Sequence, residues 1–232
     1  MARGLFDSRA KARAAIEAGG VRADGRAVVK AAEMLADDAE LEAIPAHPWV
    51  GRGALKLVHA LDLWQVSVAS RVVLDIGAST GGFTEVCLQR GAAFVYAVDV
   101  GRGQLHPKVA ADPRVINMEA TDARGLTAAQ IPRTPDLIVA DVSFISLEKA
   151  MSAALALAAK GADLLALVKP QFEVGRGNVG KGGIVTEAAA RAAALQSVCD
   201  YVRASGWTVQ ATADSPITGG DGNREYLLWA RR

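Results

Sequence analysis

The chain predicts an α/β fold, a mostly parallel sheet covered by helices on both faces, with a small α+β module in front of it. Three observations carry this. From residue 71 onward, apolar runs of strand length alternate with segments of helix length, the signature of strand-helix-strand units. The stretch 43–51, "AIPAHPWVG", interrupts the pattern with two prolines and a glycine and so marks a boundary. The 232 residues are enough for a small module plus one sizeable core.

Taken in order, "DSRAKARAAIEAGGVRADGRAVV" reads as a capped helix, a glycine stop, and a tight turn at Asp24-Gly25 between short strands. After the boundary, "GRGALKLVHAL" places Ala54, Leu57, Val58 and Leu61 at helical spacing, which leaves Arg52, Lys56 and His59 on the opposite face. Taken alone, that face fits solvent exposure. Strands are expected at 71–76, 94–99, 114–118, 136–140, 163–168, 207–213 and 225–230, with helices at 82–90, 145–159 and 186–205. Pro170 cannot donate a ladder hydrogen bond, so it ends the strand "DLLALV" and leaves Lys169 at its carboxyl end. The glycine-rich stretch "PQFEVGRGNVGKGGIV" that follows reads as a long loop. Its Arg176 and Lys181 could meet phosphates as the loop closes on a substrate, or the loop could be a plain surface connection. Phe172 could stack on a base or pack in the core.

Composition narrows the class. With 51% hydrophobic and 22% charged residues this is an ordinary globular chain. Apolar stretches such as "MSAALALAA" fall short of the roughly 20 residues a membrane span needs. The first residues hold no apolar run like that of a signal peptide. Cys87 and Cys199 both sit in helix-like apolar patterns and read as reduced core residues, as expected of a cytoplasmic protein. His47 and His106 have no spaced Cys or His partners, so no metal site is expected. The net charge of +1 does not advertise a nucleic-acid binder, but its distribution is uneven. Arg3, Arg9, Lys11, Arg13, Arg22, Arg26 and Lys30 crowd the start, and the acids Glu33, Asp37, Asp38, Glu40 and Glu42 follow. The basic block could contact phosphates or form a solvated helix face.

The strand "VVLDI" runs into "GASTGGFTEV", which puts Asp75, Gly77, Gly81 and Gly82 at a strand-to-helix turn, where open α/β sheets bind ligands. The loop has neither the dinucleotide fingerprint nor the terminal Lys-Ser/Thr of a phosphate loop. A carboxylate there would repel a pyrophosphate and suits a ligand bearing an amine or a sulfonium. Asp99, ending the next strand, is placed for ribose hydroxyls, and Asp122 after the third strand for an adenine amino group. Acids after three successive strands point to S-adenosylmethionine; the bland alternative makes these aspartates helix caps.

The contexts of four residues, Lys56 in "RGALKL", Asp141 in "VADVSFISL", Lys169 in "LVKPQFEVGRG" and Glu225 in "GNREYLLW", resemble the hemolysin A-like (TlyA-type) RNA 2'-O-methyltransferases of the FtsJ-like superfamily. The likeness extends through "LDIGASTGGFTE", "VDVGRGQL" and "KGGIV" and covers about 51–232. It implies a Rossmann-like methyltransferase sheet of seven strands with the last antiparallel. "GLFDSRAKARAAIEAGGVRADGRAVV" is similar to most of an S-four-like RNA-binding module, which looks truncated at its start. The expected organisation is therefore a partial module at 1–44, a linker at 45–51 and a methyltransferase domain at 52–232.

What the resemblance implies chemically is in-line transfer of a methyl group to a ribose 2'-hydroxyl of ribosomal RNA, with cytidine as the target nucleoside. The hydroxyl is a weak nucleophile until it loses its proton, and a lysine can take that proton only where burial or neighbouring cations favour its neutral form. Lys169 is the expected base, oriented by Asp141, with Lys56 and Glu225 holding the ribose from the other side. Asp75, Gly77, Ser79, Gly81, Gly82, Phe83, Asp99, Asp122 and Asp141 are expected to hold the cofactor, and Arg9, Lys11, Arg13, Arg22, Arg52, Arg176 and Lys181 the RNA. Two other readings stay open: a catalytically weak RNA-binding or assembly protein, and, with less physical support, a membrane-active hemolysin.

Overall fold

Ser8 opens the first helix, its hydroxyl accepting from Lys11 N at 3.2 Å, and Ile16 and Ala15 turn inward from the helix. In the computed structural model, which describes residues 3–6, 8–175, 179–219 and 222–232, the chain forms two units, Met1–Pro48 and Trp49–Arg232. In the first, helix α1 (Arg9–Glu17) precedes strands β1 (Val21–Ala23), β2 (Arg26–Ala27) and β3 (Leu41–Ala43), which form an antiparallel sheet of order β2-β1-β3. Asp24 and Gly25, both with positive φ, make the expected β1–β2 turn. β3 was not expected. It runs through the acidic stretch, pairs with β1 and points Glu42 outward. Ala15, Val21, Ala23, Val28 and Ala39 form a small separate core.

The second unit comprises α2 (Ala54–Trp64), β4 (Val72–Ile76), α3 (Gly82–Gln89), β5 (Phe94–Val98), α4 (Pro107–Ala110), β6 (Val115–Met118), β7 (Leu137–Ala140), α5 (Leu147–Leu157), β8 (Asp163–Val168), α6 (Pro170–Glu173), α7 (Ala188–Ala204), β9 (Thr208–Asp214) and β10 (Tyr226–Arg231). Its sheet has seven strands in the order β6-β5-β4-β7-β8-β10-β9, with β10 antiparallel to both neighbours and β4 to β8 parallel. Strand residues alternate between two cores. Val73, Val95, Ala97, Val139 and Leu167 pack on α2 and α3, while Leu74, Val98, Ile138, Leu164 and Val168 pack on α5 and α7.

Two details differ from expectation. Residues 49–51 were placed in a linker but belong to the second unit: Val50 is buried and its N–H donates to Glu85 Oε2 of α3 at 2.7 Å. The loop after Lys169 begins with one helical turn, α6, because the fixed φ of proline suits the first helical position. Among the described residues no helix is long and apolar enough to cross a membrane, and Cys87 and Cys199 are free and buried.

The chain builds outward from β4 to β6, then returns to the other side of β4 for β7. This reversal leaves a crevice between the carboxyl ends of β4 and β7, where open sheets of this kind bind ligands. Since β10 is antiparallel and pairs Tyr226 with Val168, Glu225 arrives level with Lys169 at the same edge.

Candidate active site

Two adjoining clefts open on that edge. The first, of about 360 Å³, is walled by the ends of β4, β5 and β7 and by the segment after β6, including Gly77, Ser79, Asp99, Asp122, Asp141 and Ser143. The second, of about 200 Å³, lies between residues 51–53 and the β4–α3 turn, with Gly82, Phe83, Asp141, Ser143 and Lys169 in its wall. Gly77, Ser79, Asp141 and Ser143 border both. A donor in the first cleft and an acceptor in the second would therefore meet at these four residues.

The β4–α3 turn approaches the end of β7 closely. Gly77 has φ +83, and a Cβ there would lie 2.6 Å from the carbonyl oxygen of Asp141, so only glycine fits. Asp99 buttresses the turn from the next strand: Oδ2 accepts from Ser79 N at 2.8 Å and Oδ1 from Gly101 N at 2.7 Å. Asp122 lines the far end of the first cleft and is held by Arg124, which bonds it through side chain (2.6 Å) and backbone (3.0 Å). The Arg124 side-chain bond, aided by the backbone one, pulls the Asp122 carboxyl down to about 2. Arg124 itself was not singled out from the sequence.

Asp75 departs from its expected place. It lines neither cleft and is fully buried, with Oδ2 accepting from the Thr84 hydroxyl at 2.6 Å and no hydrogen-bond partner for Oδ1 among the described residues. β4 alternation explains this: Asp75 shares the face of Val73 and so points beneath α3 rather than over the sheet crest. Burial, outweighing the Thr84 bond, pushes its carboxyl up to about 7. Of the other residues expected at the cofactor, Gly81 borders neither cleft, and Gly82 and Phe83 border only the second.

Two ion pairs stand at this edge, one partly buried with both members lining the second cleft, the other buried and lining neither cleft. Lys169 Nζ lies 2.5 Å from Asp141 Oδ1 and donates to Ser143 Oγ at 2.8 Å. Lys56 Nζ lies 2.5 Å from Glu225 Oε2, both residues being buried. Lys56 thus leaves the solvent face on which helical spacing placed it; Arg52 and His59 stay exposed, and Arg52 donates to Thr218 O at 3.2 Å. Ser143 went unnoticed in the sequence, as did Phe144, which is 91% exposed at positive φ on the rim of the first cleft.

The residues expected to meet RNA scatter more widely. In the first unit Arg9, Arg13 and Arg22 are exposed; Arg13 pairs with Glu17 at 2.7 Å and Arg22 donates to Gly25 O at 2.9 Å. Lys11 is half-buried on α1. Lys181 opens a short 3-10 turn, and Arg176 lies outside the described residues. Among the described residues no group of three or more His, Cys, Asp or Glu could hold a metal.

Strand order, the single reversed strand and a glycine turn facing an acid-lined crevice define the Rossmann-like methyltransferase architecture. The S-adenosylmethionine dependent methyltransferase of Mesorhizobium loti shares this fold at 13% identity, with a TM-score of 0.56 over 75% of this chain and 96% of that one. Closer relatives narrow the class. Residues 49–232 match the sequence model of FtsJ-like methyltransferases. The 16S/23S rRNA (cytidine-2'-O)-methyltransferase TlyA of Mycobacterium tuberculosis is 48% identical over 231 residues, 99% of this chain and 86% of that protein. A structure from Streptococcus thermophilus, provisionally described as a hemolysin, is 40% identical, with a TM-score of 0.81 over 100% of this chain and 85% of its own. The chain belongs to the FtsJ-like methyltransferase family, in its hemolysin A-like (TlyA-type) branch.

Proposed function

We propose that this chain transfers a methyl group from S-adenosylmethionine to the 2'-hydroxyl of a cytidine in ribosomal RNA, which places its work in the cytoplasm. The observation that carries the reading is Lys169 Nζ in the wall of the second cleft, held against Asp141 and Ser143, which border both clefts. The first cleft suits the cofactor: Gly77 lets the backbone come close, and Asp99 and Asp122 offer acceptors for ribose and base. When bound there, the cofactor supplies an electrophilic methyl on a sulfonium. Lys169 accepts the hydroxyl proton as the oxygen–methyl bond forms and the sulfur–methyl bond breaks. Asp141 orients the amine and balances positive charge beside the donor. Lys56 and Glu225 brace the acceptor side, so that hydroxyl oxygen and methyl carbon meet in line. Arg52, exposed beside the second cleft, contributes a phosphate contact.

The N-terminal unit acts as an S-four-like module whose Arg9, Lys11, Arg13 and Arg22 hold the RNA backbone. The exposed Arg13–Glu17 pair is worth little by itself, so phosphate can replace the carboxylate without a large loss. The test is incubation of unmodified small and large ribosomal subunits with labelled methyl donor, followed by mapping of ribose methylation. Wild type incorporates label at a cytidine ribose, and Lys169→Ala incorporates none while binding the cofactor as before. Near-normal turnover by the variant excludes Lys169 as the base, and no incorporation by wild type in either subunit excludes the activity.

A further inference from the structure

Ser143 stands two residues beyond Asp141, in a turn whose conformation is costly. The next residue, Phe144, has φ +66, a region that bulky side chains rarely enter. The turn is nonetheless fastened at both ends. Asp141 N donates to Ile76 O at 3.0 Å, which fixes its start against β4. Leu147 N, at the head of α5, donates to Glu173 Oε1 at 2.9 Å, and the Phe144 and Phe172 rings lie 5.3 Å apart. Glu173 and Phe172 belong to α6, which begins immediately after Lys169. The segment that carries Ser143 and the one that carries Lys169 are therefore clamped to each other. The outcome of that clamp is the 2.8 Å bond from Lys169 Nζ to Ser143 Oγ.

We infer that Ser143 is a positioning residue for Lys169: by accepting a hydrogen from the amine beside the Asp141 carboxylate, its hydroxyl holds Nζ at the acceptor cleft. The inference rests on the reading of Lys169 as the base. A neutral primary amine has two hydrogens and one lone pair in tetrahedral array around nitrogen. Ser143 Oγ accepts one of these hydrogens at 2.8 Å, whereas Asp141 Oδ1, 2.5 Å from Nζ, is an ion-pair partner without hydrogen-bond geometry. With one hydrogen engaged by Ser143, rotation about the Cε–Nζ bond is restrained, and the lone pair keeps one preferred direction. Lys169 borders the second cleft and not the first, so that direction serves the acceptor rather than the donor. Asp141 alone attracts the amine by charge but, without hydrogen-bond geometry, would leave it free to turn its lone pair away. When the proton arrives, it occupies that direction, and the Ser143 hydroxyl does not have to move.

The test uses single-turnover methyl transfer to the ribosomal subunit that wild type modifies, measured against pH, with donor affinity measured by calorimetry. Ser143→Ala is expected to lower the plateau rate about tenfold, in line with the loss of one hydrogen bond to a charged group. It also shifts the acid limb of the profile to lower pH, because an acceptor that favours the charged amine is gone. Ser143→Thr, which keeps the hydroxyl, restores both plateau and limb, and donor affinity stays at the wild-type value throughout. A Ser143→Ala rate and limb indistinguishable from wild type overturn the inference. So does a rate loss matched by an equal loss of donor affinity, which would make Ser143 a cofactor contact. Failure of the base reading looks different: Lys169→Ala would then keep turnover, whatever Ser143→Ala does.

Discussion

The Lys56–Glu225 pair allows stability and catalysis to be separated within one set of variants. Lys56 is 6% and Glu225 4% exposed, and their charges lie 2.5 Å apart. Removing one member of such a pair strands the other as an uncompensated buried charge, at a cost of about 3–5 kcal/mol. Glu225→Leu and Lys56→Met should each lose this much in urea unfolding, with melting lowered by roughly 6–20 °C for a domain of this size. The double variant Lys56→Met/Glu225→Leu strands no charge and replaces the pair with apolar groups of similar volume. It should recover to within about 1 kcal/mol of wild type, as replaced buried pairs commonly do. Methyl transfer should follow the opposite rule and stay absent in the double variant, because the groups proposed to brace the ribose are gone. The reasoning fails if the two single losses simply add in the double variant, since the pair would then not be coupled. It fails equally if the stable double variant methylates RNA at the wild-type rate, for the pair would then be structural alone.

Two further outcomes follow from neighbouring residues. The Asp75 carboxyl, ordinarily near 3.8, titrates at about 7 when folded, so the folded chain holds its proton more tightly than the unfolded one. Stability from this group is present in full below about pH 4 and is lost as pH rises toward 7, a penalty on the order of 4 kcal/mol. Asp75→Asn keeps an acceptor for Thr84 and should flatten the fall in unfolding free energy between pH 5 and 7; an unchanged slope refutes the assignment. At the hairpin before β10, a Cβ on Gly219 would lie 2.5 Å from Glu225 Oε1. Gly219→Ala should therefore displace that carboxylate and cut RNA turnover at least tenfold with donor KM unchanged, whereas wild-type turnover would show that the carboxylate tolerates the shift.

The sheet could be read from the chain because its strands carry the pattern on themselves. "LLALV" and "VVLDI" are apolar along nearly their whole length, and the seven strands fall within a residue or two of the expected positions. The edge of the sheet was legible too, since Gly77, Asp99, Asp141 and Lys169 each follow a strand end directly. Asp75 was misplaced for a reason contained in the same pattern. It lies inside its strand with the parity of Val73, and a residue of that parity faces α3, whatever its charge. Lys56 is a different case. Its helix offers it to solvent, and only a partner 169 residues away, delivered by the reversed strand β10, turns a surface position into a buried one. Local periodicity contains no information about that partner.

Ser143 and Phe144 were hidden for a third reason: their turn runs against local preference. A phenylalanine at φ +66 is stable only when contacts from elsewhere hold it, here Glu173 on Leu147 and Phe172 beside Phe144. Both holders come from the turn that Pro170 nucleates after Lys169. The proline that ends the strand therefore also starts the helix that clamps the facing turn, so the residue after the lysine helps to fix the lysine's partners. A chain selected for stability alone would relax Phe144 to negative φ. The cost of holding it otherwise is explained if the position of the Ser143 hydroxyl, rather than the packing of the ring, is what the turn serves.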